Sequence, residues 1–241
     1  MHQNTELVDP PAAPATALRE ERWQERWRDP VLTVLLVLLS LQVFVGEPLS
    51  GGHSPAAVVF VVAWFLLIIS AVLIAARHRI AIAAILLSST LALVANILRI
   101  HAPSTLTICL GSGAVAAFLV ALGWVVWDAV FGPGIVTHHR IQGAVVIYLI
   151  IALAFATFYE ILLALMPNSI AGVAPEGHYL VLGRGLVFYS LTTLSTSGIV
   201  DLSPTHPVAR SLYNLEALIG QLFPATLLAR IVTLEIQARG K

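Results

Sequence analysis

Cysteine is almost missing from these 241 residues: Cys109 stands alone, so one chain can build neither a disulfide framework nor a cysteine metal site. Lysine is as scarce. Lys241 is the single one, the other basic residues are arginines, and the 13 Lys and Arg are cancelled by 13 Asp and Glu. A chain with no net charge and no basic stripe has no field to gather nucleic acid, so a nucleic-acid partner is excluded. Charge of either sign is sparse, at 11% of residues against 58% hydrophobic, and mean hydropathy is +0.89. Such a chain is too apolar for one soluble domain and calls for lipid as its solvent. The N-terminus also lacks the order of a signal peptide: Pro10, Pro11, Pro14 and a charged stretch from Arg19 to Asp29 stand where a basic head and an apolar core would. It is therefore expected to be retained.

What the chain has in abundance is long apolar runs. A hydrocarbon core of roughly 30 Å needs about 20 residues of helix, and six stretches approach or meet that length: 31–48, 56–76, 80–98, 105–130, 141–166 and 207–235. Arg77 and Arg79 fall between the second and third, and Arg99 follows the third, so these charges sit at ends where the bilayer tolerates them. With the N-terminus in the cytoplasm, Arg19, Arg22, Arg26, Arg28, Arg77, Arg79, Arg140, Arg230, Arg239 and Lys241 lie inside, and only Arg99, Arg184 and Arg210 outside. That asymmetry satisfies the positive-inside bias, and an even number of spans returns the C-terminus to the cytoplasm. Residues 1–30 form a cytoplasmic segment. Its first 16 residues read as disordered, and residues 17–29, with Trp23 and Trp27 beside Arg19, Arg22 and Arg26, suit either a surface-lying amphipathic helix or a solvated helix start. Residues 31–131 make a four-helix module. Its fourth stretch holds no Lys or Arg, so it lacks the arginine ladder of a voltage sensor.

The segment between the fifth and sixth stretches is neither a simple loop nor a span. After the polar stretch from Pro167 to Gly177, residues 183–196, GRGLVFYSLTTLST, make an apolar run of only three to four helical turns, too short to cross. The run predicts a re-entrant half-helix, followed at once by Ser197-Gly198-Ile199-Val200-Asp201. Irregular backbone at membrane depth is tolerated only where protein buries it or a water-filled cavity meets it.

The string TLSTSGIVDLSP, residues 193–204, resembles the pore signature of tetrameric potassium channels, a short pore helix ending in Thr, a variable residue, Gly, Tyr, Gly and Asp. The likeness continues through PVARSLYNLEALIGQLFPATLLARIV, residues 207–232, which is similar to the inner helix of small bacterial two-pore-domain-like potassium channels. It covers about residues 137–236. The resemblance implies an all-α membrane protein with six transmembrane helices plus a re-entrant pore helix and a filter-like strand between the fifth and sixth, residues 137–241 being the pore module. It implies a homotetramer in a bacterial plasma membrane, because one chain supplies one filter strand. It also implies monovalent cations, potassium and possibly sodium, as permeating ligands held by Thr196, Ser197 and Gly198, with Asp201 shaping the outer electrostatics and with no enzyme chemistry or cofactor.

The chain departs from that pattern where Gly-Tyr-Gly becomes Gly198-Ile199-Val200. Left-handed backbone is cheap for glycine but costs a β-branched residue about 1–2 kcal/mol or more, and four copies of Val200 would multiply that to about 4–8 kcal/mol. Ile199 lacks the tyrosine hydroxyl that tethers the family's filter. Weakened or lost potassium selectivity is the expectation, with a non-conducting homologue acting as scaffold or regulatory subunit, or a polytopic transporter, as alternatives.

Glu216, about nine residues into the last stretch, needs a partner or a function at that depth. With Gln221 it is expected to form buried polar support for the pore helix of the same or a neighbouring chain. Glu160 is expected to face the outer vestibule or Arg184, or to snorkel. Gly220 and Pro224, four apart, mark a candidate hinge of the inner helix. Arg230 and Glu235 are candidates for intersubunit pairs at the cytoplasmic mouth.

Overall fold

The computed structural model describes residues 31–46, 66–71, 79–102, 104–131, 138–173, 179–198 and 201–239. The expected amphipathic helix of residues 17–29, most of the second apolar stretch, and Ile199 and Val200 lie outside the described residues. The described chain is predominantly helical. A short apolar helix, α1 (Val31–Val45), passes into a π-helical turn over Gln42–Gly46. It is followed by α2 (Arg79–His101), α3 (Thr105–Phe131), α4 (His138–Leu165), α5 (Tyr179–Leu194) and α6 (Pro207–Arg239).

Among the described residues three helices are long and apolar enough to cross a membrane, over Arg79–Arg99, Thr105–Phe131 and Ile141–Leu165. They coincide with the third, fourth and fifth apolar stretches. At 33 residues α6 is longer than any of them, and it carries Arg210, Asn214, Glu216, Gln221 and Arg230 along its length. The short helix α5 begins and ends earlier than its apolar run predicts, at Tyr179 and Leu194 rather than 183 and 196, so Ser195 and Thr196 lie beyond it.

The start of α3 is set by a reciprocal cap. The Thr107 amide donates to Ser104 Oγ at 3.2 Å while the Ser104 amide donates to Thr107 Oγ1 at 3.0 Å, so two otherwise orphaned donors are satisfied. From there α3 packs between α2 and α4, and α4 also meets α5 and α6. Lipid is as apolar as leucine, so these contacts depend on close approach of helices. Small residues permit it: a methyl group at Gly143 of α4 would collide with Val130 of α3, and one at Gly111 would rest 3.6 Å from Ala95 of α2. Phe118, Leu122 and Val126 of α3 are fully buried in the seam, together with Val146 of α4. The outward faces stay apolar, with Leu87, Val120, Trp124 and Trp127 exposed, as a lipid-facing surface requires.

Composition gave no sign of a strand, but a two-residue antiparallel ladder joins the loop after α4 to the loop before α6. Ile170 pairs with Pro204 and Ala171 with Ser203. The Thr205 and His206 amides both donate to Ser169 O, and Thr205 Oγ1 donates to Asn168 O at 2.7 Å. Gly172 takes a positive φ of 88° there, and a Cβ at that position would strike the carbonyl of Asp201. The ends of α4 and α6 are thereby fixed to each other beside the exit of α5.

A half-buried ion pair closes the three-helix stack. Arg99 of α2 lies 2.8 Å from Glu160 of α4, and Ser112 of α3 donates to the other carboxylate oxygen of Glu160 at 2.7 Å. Glu160 therefore serves the packing of α2, α3 and α4, with Arg99 as its ion-pair partner. Removing one member of a buried pair strands the other, whereas removing both does not. Glu160→Leu should lower the stability of the purified protein by about 3 kcal/mol, and Arg99→Leu with Glu160→Leu should recover most of that loss. Thermal unfolding in nanodiscs reads both.

Candidate functional site

The short helix α5 enters the space between α4 and α6, and its C-terminal end is where the chain does something unusual. A helix end leaves four carbonyls without partners, and here all four are met. The amides of Ser195, Thr196 and Ser197 donate to the carbonyls of Leu191, Thr193 and Thr192, each at 3.0 Å. The fourth, Leu194 O, accepts the Tyr148 hydroxyl of α4 at 3.0 Å. The bonds from Thr196 and Ser197 are the paired closure of a Schellman cap, which needs a left-handed residue at its penultimate position. Thr196 fills it, with φ 53°. Glycine normally takes that place, and a β-branched residue there costs about 1–2 kcal/mol. Backbone strain of this kind gathers where the surrounding structure has a use for it.

Beyond the cap, Gly198 is again left-handed, at φ 71°, with open space where a Cβ would be. Ser197 between them is not, so backbone sign alternates along the three residues. Ser195 to Gly198 are all exposed. The Ser197 hydroxyl points back to Thr192 O at 3.4 Å, and Thr196 Oγ1 makes no hydrogen bond among the described residues. Exposed backbone and one unpaired hydroxyl are thus presented at the end of a helix whose own last carbonyls are occupied. Asp201 is exposed, and Ile199 and Val200 between it and Gly198 are outside the described residues.

Two joints seat this helix end. In the first, Leu194 O rests on Gly220 of α6 so closely that a methyl group there would overlap it. Gly220 is buried and works as a contact point, while Pro224 is exposed one turn later. The helix α6 continues through Pro224 without interruption. In the second joint, Glu216 of α6 is completely buried. The Tyr159 hydroxyl of α4 donates to its Oε2 at 2.7 Å, and the Ser190 hydroxyl of α5 meets its Oε1. The ring of Tyr189 stands edge-on to Tyr159 with centroids 4.9 Å apart and lies 6.1 Å from Tyr213. Its buried hydroxyl has no partner among the described residues.

Sequence reasoning brought Glu216, Gly220 and Thr196 to this place but missed Tyr148, Tyr159 and Ser190. The requirement that a buried carboxyl find partners pointed at polar residues halfway along the neighbouring helices, and Tyr159 and Ser190 answer it. Five residues on from Glu216, Gln221 lies about 140° around the helix, and it is exposed in the single chain, so its own chain gives it none of the burial of Glu216. Arg230 donates to Phe131 O at 2.9 Å and lies over the Phe131 ring at 4.7 Å, capping the end of α3 inside its own chain. The side chain of Glu235 lies outside the described residues.

No family model matches the chain, and neither a curated protein nor a solved structure matches it.

Because Leu194 O occupies the space beside Gly220, Gly220→Ala should push α5 off α6 and cost about 1–3 kcal/mol. Gly113→Ala, whose Cβ would meet nothing within 4 Å, should be neutral or stabilising. Paired thermal melts of the two variants separate close approach from a general effect of losing a helical glycine.

Proposed function

We propose that the chain is one subunit of a homotetrameric, potassium-channel-like pore for monovalent cations, with potassium selectivity weakened or lost. The observation that carries this is α5. Its 16 residues reach only about 24 Å, less than a hydrocarbon core, and it ends in exposed backbone of alternating sign at Thr196, Ser197 and Gly198. Alternation turns successive carbonyls to the same side. Four copies around one axis replace the water shell of a cation with the oxygens of these three residues and the Thr196 hydroxyl. In this architecture α2, α3 and α4 are the third to fifth of six crossings and α6 is the sixth. The half-helix α5 enters from the outer side, and both termini are cytoplasmic, in a bacterial plasma membrane.

A second feature supports assembly around an axis. The helix α6 buries one seam, Ala209, Tyr213, Glu216, Gly220, Phe223 and Leu227, spaced alternately four and three residues apart. A parallel seam of the same spacing, Leu215, Leu218, Leu222 and Ala225, is exposed and has the periodicity of a face that packs on a neighbouring helix. Lipid and three further copies of the chain are the partners this calls for, and conduction calls for no cofactor.

The outer half of the site sets selectivity. Val200 where the family has glycine makes the outer carbonyl ring expensive, and Ile199 brings no hydroxyl to tether it. Potassium and sodium are then separated poorly. A second function, a non-conducting channel homologue serving as scaffold or regulatory subunit, is favoured by Thr196, since the residue that opens the filter-like segment is also spent on closing a helix cap.

Liposome flux under opposed potassium and sodium gradients tests the proposal. Wild type should conduct with little preference between the two ions, and Ile199→Tyr with Val200→Gly should restore preference for potassium. A sharp potassium preference in wild type contradicts the role given to Val200, and a silent wild type beside a conducting double variant favours the scaffold.

A further inference from the structure

The hydrogen bonds around Glu216 can be counted proton by proton. The Tyr159 hydroxyl has one proton and gives it to Oε2. The Ser190 hydroxyl also has one proton, yet its Oγ meets two groups, Oε1 of Glu216 and, at 2.6 Å, the carbonyl oxygen of Ala152 in α4. A carbonyl only accepts, and so does a carboxylate. With both as acceptors, one of the two is left without a proton, in a place where Glu216 is 0% exposed. Orphaning either group there is costly. No basic side chain forms an ion pair with Glu216 among the described residues, and the titratable groups near it are phenols: Tyr148 and Tyr159 of α4 and Tyr189 of α5, with Tyr213 of α6 against Tyr189.

One arrangement satisfies every group. We infer that Glu216 carries a proton on Oε1 and donates it to Ser190, so that a single directed chain runs from Tyr159 through Glu216 and Ser190 to the Ala152 carbonyl. The chain leaves α4 at Tyr159, crosses α6 and α5, and returns to α4 at Ala152, about two turns away along the same helix face. Glu216 is then a positioning residue. As donor and acceptor together it fixes how α5 sits on the other two helices, and through α5 where Thr196 to Gly198 stand. That last consequence rests on the proposed pore, whereas the proton on Glu216 does not.

The inference distinguishes glutamine from every other replacement. In Glu216→Gln the amide NH2 donates to Ser190 and the amide oxygen accepts from Tyr159, reproducing the chain. In Glu216→Ala both neighbours lose their partner. Infrared difference spectroscopy on the full chain in nanodiscs, with 13C-labelled glutamate, should show a protonated-carboxyl stretch that shifts in D2O and disappears in Glu216→Gln. Cation flux should drop about tenfold or more in Glu216→Ala and return to within about twofold of wild type in Glu216→Gln. A wild-type spectrum without the Glu216 carboxyl band overturns the inference, as does a glutamine variant as impaired or as unstable as the alanine one. If wild type proves silent, the band and the relative melting temperatures of the two variants still decide the matter, so failure of the pore leaves the proton on Glu216 separately tested.

Discussion

A helix whose last turn is buried, as Thr192, Thr193 and Leu194 are, must have its loose ends met by protein. That constraint governs α5 and, through it, the helices around it. Its last carbonyls are taken by its own cap and by Tyr148, its Ser190 by Glu216 and Ala152, and its close backbone by Gly220. Every partner outside its own cap comes from α4 or α6. Those two helices are in turn tied together by the short ladder of Ile170–Ala171 with Ser203–Pro204. Most of what is polar in this half of the molecule exists to hold one short helix in one orientation.

The same helix α4 also carries the other buried polar cluster, and it does so with the next residue. Tyr159 points to Glu216 and α6, while Glu160 points away to Arg99 of α2 and Ser112 of α3. Two consecutive side chains, about 100° apart around one helix, reach different neighbours, so α4 is held in rotation from both. The front helices are thereby fastened to the helix that seats α5, although nothing in their own sequence carries recognisable chemistry.

Much of this was legible in the chain. Long apolar runs locate α2, α3 and α4 because nothing but a spanning helix uses so many consecutive apolar residues. The brevity of the run before Thr196 marks α5 as different. A buried carboxyl at 216 announces that partners exist, but which ones depends on how three helices are rotated against one another, and no periodicity encodes that. The end of α5 was misplaced by two residues because Ser195 and Thr196 look like a continuation of the helix when they form its cap. Gln221 lies about 140° around α6 from Glu216, on a face that its own chain leaves exposed, and nearness in sequence does not show this. Arg230 looked like a surface charge awaiting a neighbouring chain, and its own chain provides Phe131. The ladder of Ile170–Ala171 with Ser203–Pro204 is too short to leave a pattern.

The central claim is that this carefully seated helix end faces a shared axis. A single-particle reconstruction of the full chain in lipid nanodiscs tests it directly. Four copies should surround one axis, with Thr196 to Gly198 of each copy nearest that axis and α5 entering without crossing. A monomer, or an assembly in which those three residues face lipid, contradicts it.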